Sequence, residues 1–278
     1  MSPSAAEVVR YLAEIGQLQE CVTTRDDGGE GAVIRRVALD ATAGPGDMAW
    51  SRRAEAATGF RGALLVGPAP APAAADLAPG ATVAACANPR LAMAAVIGRF
   101  FAQLTADQAP VYAEPALALS VSANQAWVMN ARIGRGVTIG PHATIGCSGM
   151  GYERDATGRL VKFAQLGGVL IEDDVDVAAH ATIQRGALGD TVLGRGARIG
   201  PHVNVGHNVD VGEDVLIAGH AQMGGGARLG KGVTIWQGAV VTNGVTIGEG
   251  AVIGMSAVVR KDVSPGEVWA GNPARKLR

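Results

Sequence analysis

From Leu193 to Val259 one residue in every six is apolar: Leu193, Ile199, Val205, Val211, Ile217, Met223, Leu229, Ile235, Val241, Ile247, Ile253 and Val259. A helix repeats its apolar face every 3.6 residues and a half-buried strand every two, so neither explains a period of six. The residue two before each of these is small or β-branched, from Thr191 and Ala197 to Ala251 and Ala257, and the residue after is usually glycine, as at Gly194, Gly200, Gly206 and Gly212. Side chains alternate along a strand, so an apolar residue and the small residue two before it enter the same narrow core. A fixed short period is the signature of a solenoid, and hexapeptides are the pattern of a parallel β-helix. Three hexapeptides make one triangular coil of eighteen residues, which stacks residues eighteen apart and leaves polar chemistry to the corners.

The register extends back to Ile145, Ile139 and Ile133, with a first repeat expected near Val121, but it is broken twice. Ile139 to Val177 spans 38 residues and Val177 to Ile199 spans 22, against eighteen for one coil. The first excess falls on Cys147 to Gln165, expected to loop out, and the second on a bulge around Arg185 to Asp190. Excursions from a rigid scaffold are where binding and catalytic groups collect. Upstream, Val8, Val9, Leu12 and Ile15 have helical spacing, Ala32 to Leu39, Gly62 to Val66 and Thr82 to Cys86 read as strands, and Asn88-Pro89 opens a second helix as N-cap and first-turn proline. The expected organisation is mainly β. A small N-terminal α/β domain over residues 1–105, a candidate for nucleotide binding, is followed by a linker over 106–120. A β-helix over 121–260 then carries the inserted loop 147–165, and a short tail covers 261–278.

Forty glycines with only four Phe and three Tyr suit a core packed from small residues. A net charge of -1 gives no electrostatic case for nucleic acid. Cys21, Cys86 and Cys147 are too far apart in sequence for a disulfide framework or a zinc cluster, which points to a reducing, cytoplasmic setting. The N-terminus lacks the pattern of a secretion signal, and Pro, Arg or Asp interrupts the apolar stretches elsewhere, so no transmembrane segment is expected.

The five histidines divide by register. His142, His180, His202 and His220 each lie three residues after an aliphatic position and, with both insertions counted, fall on one edge of the prism. His207 stands two residues after Val205, at the next corner, within Gly206-His207-Asn208-Val209. A corner tolerates any polar side chain, so solvated histidines are the plain reading. The chemical reading is a general base, since an imidazole can take a proton from an attacking amine. The four residues between His202 and His207 are also a spacing found in the zinc-dependent carbonic anhydrases built on this β-helix, but no third histidine sits two coils earlier. No metal is expected, and a zinc hydratase remains the lesser alternative.

Several segments resemble, in order and approximate spacing, the UDP-3-O-acylglucosamine N-acyltransferase family: Ile145-Gly146-Cys147-Ser148-Gly149-Met150-Gly151-Tyr152, Gln165-Leu166-Gly167-Gly168-Val169, Ile183-Gln184-Arg185-Gly186-Ala187-Leu188-Gly189-Asp190-Thr191 and His207-Asn208-Val209. Pro45-Gly46-Asp47-Met48-Ala49-Trp50 and Asn88-Pro89-Arg90-Leu91-Ala92 are similar to its nucleotide-binding domain. The resemblance implies a left-handed β-helix and a homotrimer with active sites between subunits. It also implies acyl transfer from a phosphopantetheine thioester, carried by acyl-CoA or acyl carrier protein, to the amine of a nucleotide-linked amino sugar, with no bound cofactor. The family's catalytic histidine precedes Asn-Val and carries over to His207. Asn208, Gly149, Gly151, Tyr152 and Trp50 are then expected on the acceptor, and Arg260, Lys261 and Arg275 near the donor phosphates. The chain departs from the family in having Gly244 where a second histidine precedes Val-Thr-Ile-Gly, Gly200 where an aspartate precedes the catalytic histidine by seven residues, and no tyrosine where the second uracil-stacking aromatic should follow Trp50. Its ending, Val263-Ser264-Pro265-Gly266 and Gly271-Asn272-Pro273-Ala274, resembles short-chain sugar acetyltransferases that use acetyl-CoA, which makes acetyl transfer to a different sugar the nearer alternative.

Overall fold

The computed structural model describes residues 2–24, 32–38, 41, 43–58 and 60–278. It divides into two compact units, Met1–Ala106 with Met150–Ala164, and Asp107–Gly149 with Gln165–Arg278.

The first unit is built on five strands in the order Leu18–Thr23, Thr82–Cys86, Leu64–Pro68, Asp47–Trp50, Arg36–Val37. Leu18–Thr23 runs antiparallel to its neighbour and the others pair in parallel. Leu64, Leu65 and Val66 are all buried, as expected for a parallel strand covered on both faces. Helix α1 (Ala5–Glu14) starts at Ser4, whose side chain accepts from the Glu7 N–H while the Glu7 carboxylate accepts from the Ser4 N–H. Helix α2 (Pro89–Phe100) starts at Asn88, whose Oδ1 accepts from the Leu91 N–H at 3.0 Å. The strand expected from Ala32 to Leu39 is reduced to Arg36–Val37, and Leu39 lies outside the described residues. Most of the looped-out segment belongs to this unit. Tyr152–Arg154 and Leu160–Lys162 form an antiparallel hairpin, followed by the buried Phe163.

The second unit is a left-handed parallel β-helix. Three sheets of seven, seven and eight strands run along the prism, and within the coils each interior strand pairs in parallel with the one a coil above and the one a coil below. Val177 pairs with Ile139 and Ile199, and Ile183 with Ile145 and Val205, so both insertions leave the register between coils intact. The inward residues, from Val169, Ile171 and Val177 to Ile253, Ala257 and Val259, are buried, most of them completely. Each large one stabilises the fold by about 1.5–3 kcal/mol. At the corners the third residue after an inward aliphatic takes a positive φ, as at Asp174 (61°), Gly196 (71°), Asn208 (57°) and Asp214 (54°).

Residues 106–120 are not a linker, and Val121 does not begin the repeat. Val111–Tyr112 pairs with Ala131–Ile133 as the end strand of one sheet, and helix α3 (Pro115–Ala123) follows. Leu117 and Val121, four residues apart on one helical face, are buried in the same core as the coils. A prism open at its end would expose that core, and α3 covers it. At the other end Val268–Ala270 and Arg275–Lys276 form an antiparallel hairpin, with Ala274 buried and Trp269 packed on the core. The tail 261–278 is therefore a cap. Among the described residues no helix is long and apolar enough to cross a membrane.

Candidate active site

One corner of the prism, following the strands Asn204–Val205, Gln222–Met223, Val240–Val241 and Val258–Val259, carries His207. On successive coils it reads Gly206-His207-Asn208, Gly224-Gly225-Gly226, Thr242-Asn243-Gly244 and Arg260-Lys261-Asp262. His207 is half-buried, with Nδ1 3.2 Å from Asn208 Oδ1. That oxygen also accepts from the Ala187 N–H at 2.8 Å, while Asn208 Nδ2 donates to the Gly189 carbonyl at 2.8 Å. These two backbone partners fix which end of the carboxamide faces the imidazole. A carboxamide oxygen only accepts, so the proton of a neutral His207 sits on Nδ1, and Nε2 holds the lone pair.

Nε2 lies against Gly225, one coil along. A Cβ at Gly225 would stand 2.7 Å from Nε2 and 2.8 Å from Cε1, so only glycine leaves this imidazole its place. The N–H groups of Gly224 and Gly226 donate to Val241 and His207 carbonyls, whereas the Gly225 N–H donates to no group among the described residues. A basic nitrogen and an unpaired backbone donor thus belong to adjoining residues of one column. Gly225 was not singled out from the sequence, although one coil added to His207 lands on it.

The bulge beside this corner is held from several sides. Asn208 binds its backbone at Ala187 and Gly189, and the Asn208 N–H donates to Thr191 Oγ1 at 2.8 Å. Asp190 accepts from the Gly168 N–H at 2.8 Å and from Arg132 Nη2 at 2.5 Å. Arg185 is only 2% exposed; its Nε donates to the Gly167 carbonyl at 2.6 Å, and Nη1 lies 3.9 Å from Asp107 Oδ1 with no hydrogen-bond partner. Burial lowers the Arg185 pKa, opposed by the charges of Asp107 and Asp190. Gly186 is required by packing, since a Cβ there would fall 1.6 Å from the Gly189 carbonyl oxygen.

The remaining expected residues are distributed as follows. Asn208, expected on the substrate, has both polar side-chain atoms engaged with the bulge and His207. Gly149 lies in the second unit, where its N–H donates to Gln165 Oε1 at 2.6 Å and the Gln184 side chain fills the space a Cβ would take. Gly151, Tyr152 and Trp50 belong to the first unit. The Trp50 ring touches Phe163, with centroids 5.8 Å apart and planes at 51°, and the Arg52 guanidinium lies 5.9 Å from the Trp50 centroid. Phe163 is an aromatic neighbour that sequence reading missed, because 113 positions separate it from Trp50. Arg260 and Lys261 are exposed at the His207 corner, three coils away or about 14 Å at the usual spacing of adjacent strands. Arg275 is not in that column; it sits in the closing hairpin with Nη1 on the Ala274 carbonyl at 3.0 Å. His142, His180, His202 and His220 stack along a different edge, with centroid distances of 5.1, 4.8 and 4.8 Å. His202 and His207 occupy different corners, and among the described residues no three His, Cys, Asp or Glu side chains form a metal-binding group.

Residues 190–225 and 226–261 match the family model for the bacterial transferase hexapeptide (six repeats). The matched repeats span 72 of the 278 residues, all within the β-helix. The chain is 50% identical over 58 residues to a UDP-3-O-acylglucosamine N-acyltransferase of Francisella tularensis subsp. holarctica, covering 21% of this chain and 17% of that one. It is 43% identical over 72 residues to the enzyme of the same name from Sinorhizobium medicae, covering 26% and 20%. The chain thus spans about a fifth of the length of the curated relatives it matches. A solved UDP-N-acetylglucosamine O-acyltransferase from Moraxella catarrhalis is similar at 21% identity with a TM-score of 0.47, over 54% of this chain and 63% of that one.

Proposed function

We propose that this hexapeptide protein is an N-acyltransferase that moves an acyl group from a phosphopantetheine thioester to the amine of a nucleotide-linked amino sugar. The observation that carries this reading is the orientation of His207, with Nδ1 tied to Asn208 Oδ1 and Nε2 bare against Gly225. Nε2 takes a proton from the acceptor amine as its nitrogen attacks the thioester carbonyl, and the Gly225 N–H serves the developing oxyanion. Collapse of the tetrahedral intermediate breaks the carbon–sulfur bond, and the proton held on Nε2 passes to the leaving thiolate. The corner above His207 carries no bulky side chain until Asn243, and the cations Arg260 and Lys261 lie where the phosphates of an extended donor arm would end.

In this reading the enzyme works as a homotrimer with clefts between subunits, in the cytoplasm, where its unpaired cysteines remain thiols. The first unit, with Trp50, Arg52 and Tyr152, binds the nucleotide part of the acceptor. The names of the matched relatives support an amino-sugar acceptor, and the acetyltransferase-like ending supports a coenzyme A thioester as donor.

The test is a matrix of acyl-CoA and acyl carrier protein donors against nucleotide-linked amino sugars. His207→Ala is expected to lower kcat by about 10²–10⁴ with an unchanged melting curve. Full activity in His207→Ala would overturn the mechanism. Turnover with hydroxyl acceptors alone would overturn the N-acyl assignment.

A further inference from the structure

Four of the five histidines have no part in the chemistry above, yet they recur at one register position along a single edge of the prism. His142, His180, His202 and His220 have φ of 57°, 59°, 56° and 59°. In this left-handed region glycine is favoured, and asparagine, aspartate and histidine are the enriched residues that carry a side chain. The other two corners follow that preference, with Gly136, Asp174, Gly196, Asp214, Gly232 and Gly250 at one and Asn208, Gly226 and Gly244 at the other. Histidine at this position is confined to one edge and repeats on four successive coils.

The rings form a column. Interplanar angles are 27° between His142 and His180, 3° between His180 and His202, and 7° between His202 and His220, and all four residues are exposed. The corner segments that carry them, Gly140-Pro141-His142, Ala178-Ala179-His180, Gly200-Pro201-His202 and Ala218-Gly219-His220, contain no carboxylate, and no salt bridge or side-chain hydrogen bond of the described residues reaches the four rings. Adjacent rungs therefore offer neighbouring imidazole nitrogens that no group among the described residues competes for.

We infer that this histidine column is a binding site for a borderline divalent transition-metal ion, Zn²⁺, Ni²⁺ or Cu²⁺, held by two adjacent rungs and completed by water. A tetrahedral ion with metal–nitrogen bonds of about 2.0–2.1 Å needs its two nitrogens roughly 3.3 Å apart. The ring centroids of His180 and His202 stand 4.8 Å apart, and rotation about the side-chain bonds of these two exposed residues is expected to bring one nitrogen of each to that separation. Imidazole is the ligand these ions share, and an oxygen-seeking ion such as Mg²⁺ is not expected there. Only adjacency makes a pair, so the ion chelates between rungs one coil apart and not between rungs two coils apart.

The test compares two double variants with the same histidine count. His142→Asn with His220→Asn keeps the adjacent pair His180 and His202, whereas His180→Asn with His220→Asn leaves only His142 and His202, two coils apart. Asparagine suits the left-handed backbone, so both variants are expected to fold. Titrating the full-length assembled protein at pH 7.5 with Cu²⁺ or Zn²⁺ by calorimetry is expected to show wild-type affinity in the first variant and at least a tenfold loss in the second. Copper bound to the first is expected to give an electron paramagnetic resonance pattern of two nitrogen ligands. Equal affinities in the two variants, a one-nitrogen pattern, or no binding by wild type would each overturn the site. His207 is intact in both variants, so acyl transfer reads out separately from metal binding.

Discussion

At the residue scale the structure turns on three neighbours of different kinds. His207 supplies a nitrogen, Asn208 decides which nitrogen is bare, and Gly225 makes room for it. Gly225→Ala puts a methyl group into the imidazole, while the backbone there is not in the left-handed region. The expected outcome is a protein with near-normal melting and a kcat at least tenfold lower, checked by calorimetry beside the transfer assay. Asn208→Ala acts on stability as well, because it leaves the Ala187 N–H and Gly189 carbonyl unpaired in a half-buried bulge and puts alanine at positive φ. A loss of about 2–4 kcal/mol in denaturant titration is expected. Cys86 is completely buried and its pKa is pushed up to about 11 by desolvation, so it is expected to resist alkylation at pH 8 until the first unit opens. Peptide mapping after brief iodoacetamide treatment checks this.

At the scale of elements, each sheet of the prism separates inward from outward positions residue by residue. Ile217 is completely buried while its strand partner Leu216 is exposed. Ile217→Ala is expected to cost about 2–5 kcal/mol and Leu216→Thr less than about 0.5 kcal/mol, read from urea midpoints. In the first unit the strand Asp47–Trp50 is tied to Arg36–Val37 by a two-pronged ion pair, Asp47 Oδ1 to Arg36 Nε at 3.1 Å and Oδ2 to Nη2 at 2.6 Å. This pairing, with the Gly44 N–H, holds the Asp47 pKa below the ordinary carboxylate value. A folded-state pKa that is depressed stabilises above the unfolded value, about 3.9, and the contribution disappears as pH falls through the lower folded value. Asp47→Asn is therefore expected to destabilise the first unit at pH 7 by about 1.5–3 kcal/mol and to make little difference at pH 2, as followed by Trp50 fluorescence during acid titration.

At the scale of the whole molecule, a solenoid has two ends and each exposes core and strand edges unless covered. Here α3 closes one end of the β-helix and the hairpin of Val268–Ala270 with Arg275–Lys276 closes the other. Removal of residues 264–278 strips Ala274 and Trp269 from the core and bares the backbone edge of Val252–Ile253. Aggregation on light scattering and a reduced soluble yield are expected.

The β-helix was legible because its period is local arithmetic: an apolar residue at every sixth position can be counted without knowing what it touches. The same counting separated His207 from the four edge histidines, since the corner a residue occupies follows from its offset within the hexapeptide. Val121 fooled the counting because an aliphatic residue reads the same in a strand or in a helix that plugs the core. Proline-bearing residues 106–120 looked like a linker because nothing local shows that Val111–Tyr112 has a strand to pair with. The role of Asn208, the buried Arg185, the meeting of Trp50 with Phe163 and the vacancy at Gly225 were decided only by the tertiary structure. Each is a relation between chain segments brought together by folding, and a hydrogen bond or a clash across coils leaves no periodic trace in the amino-acid order.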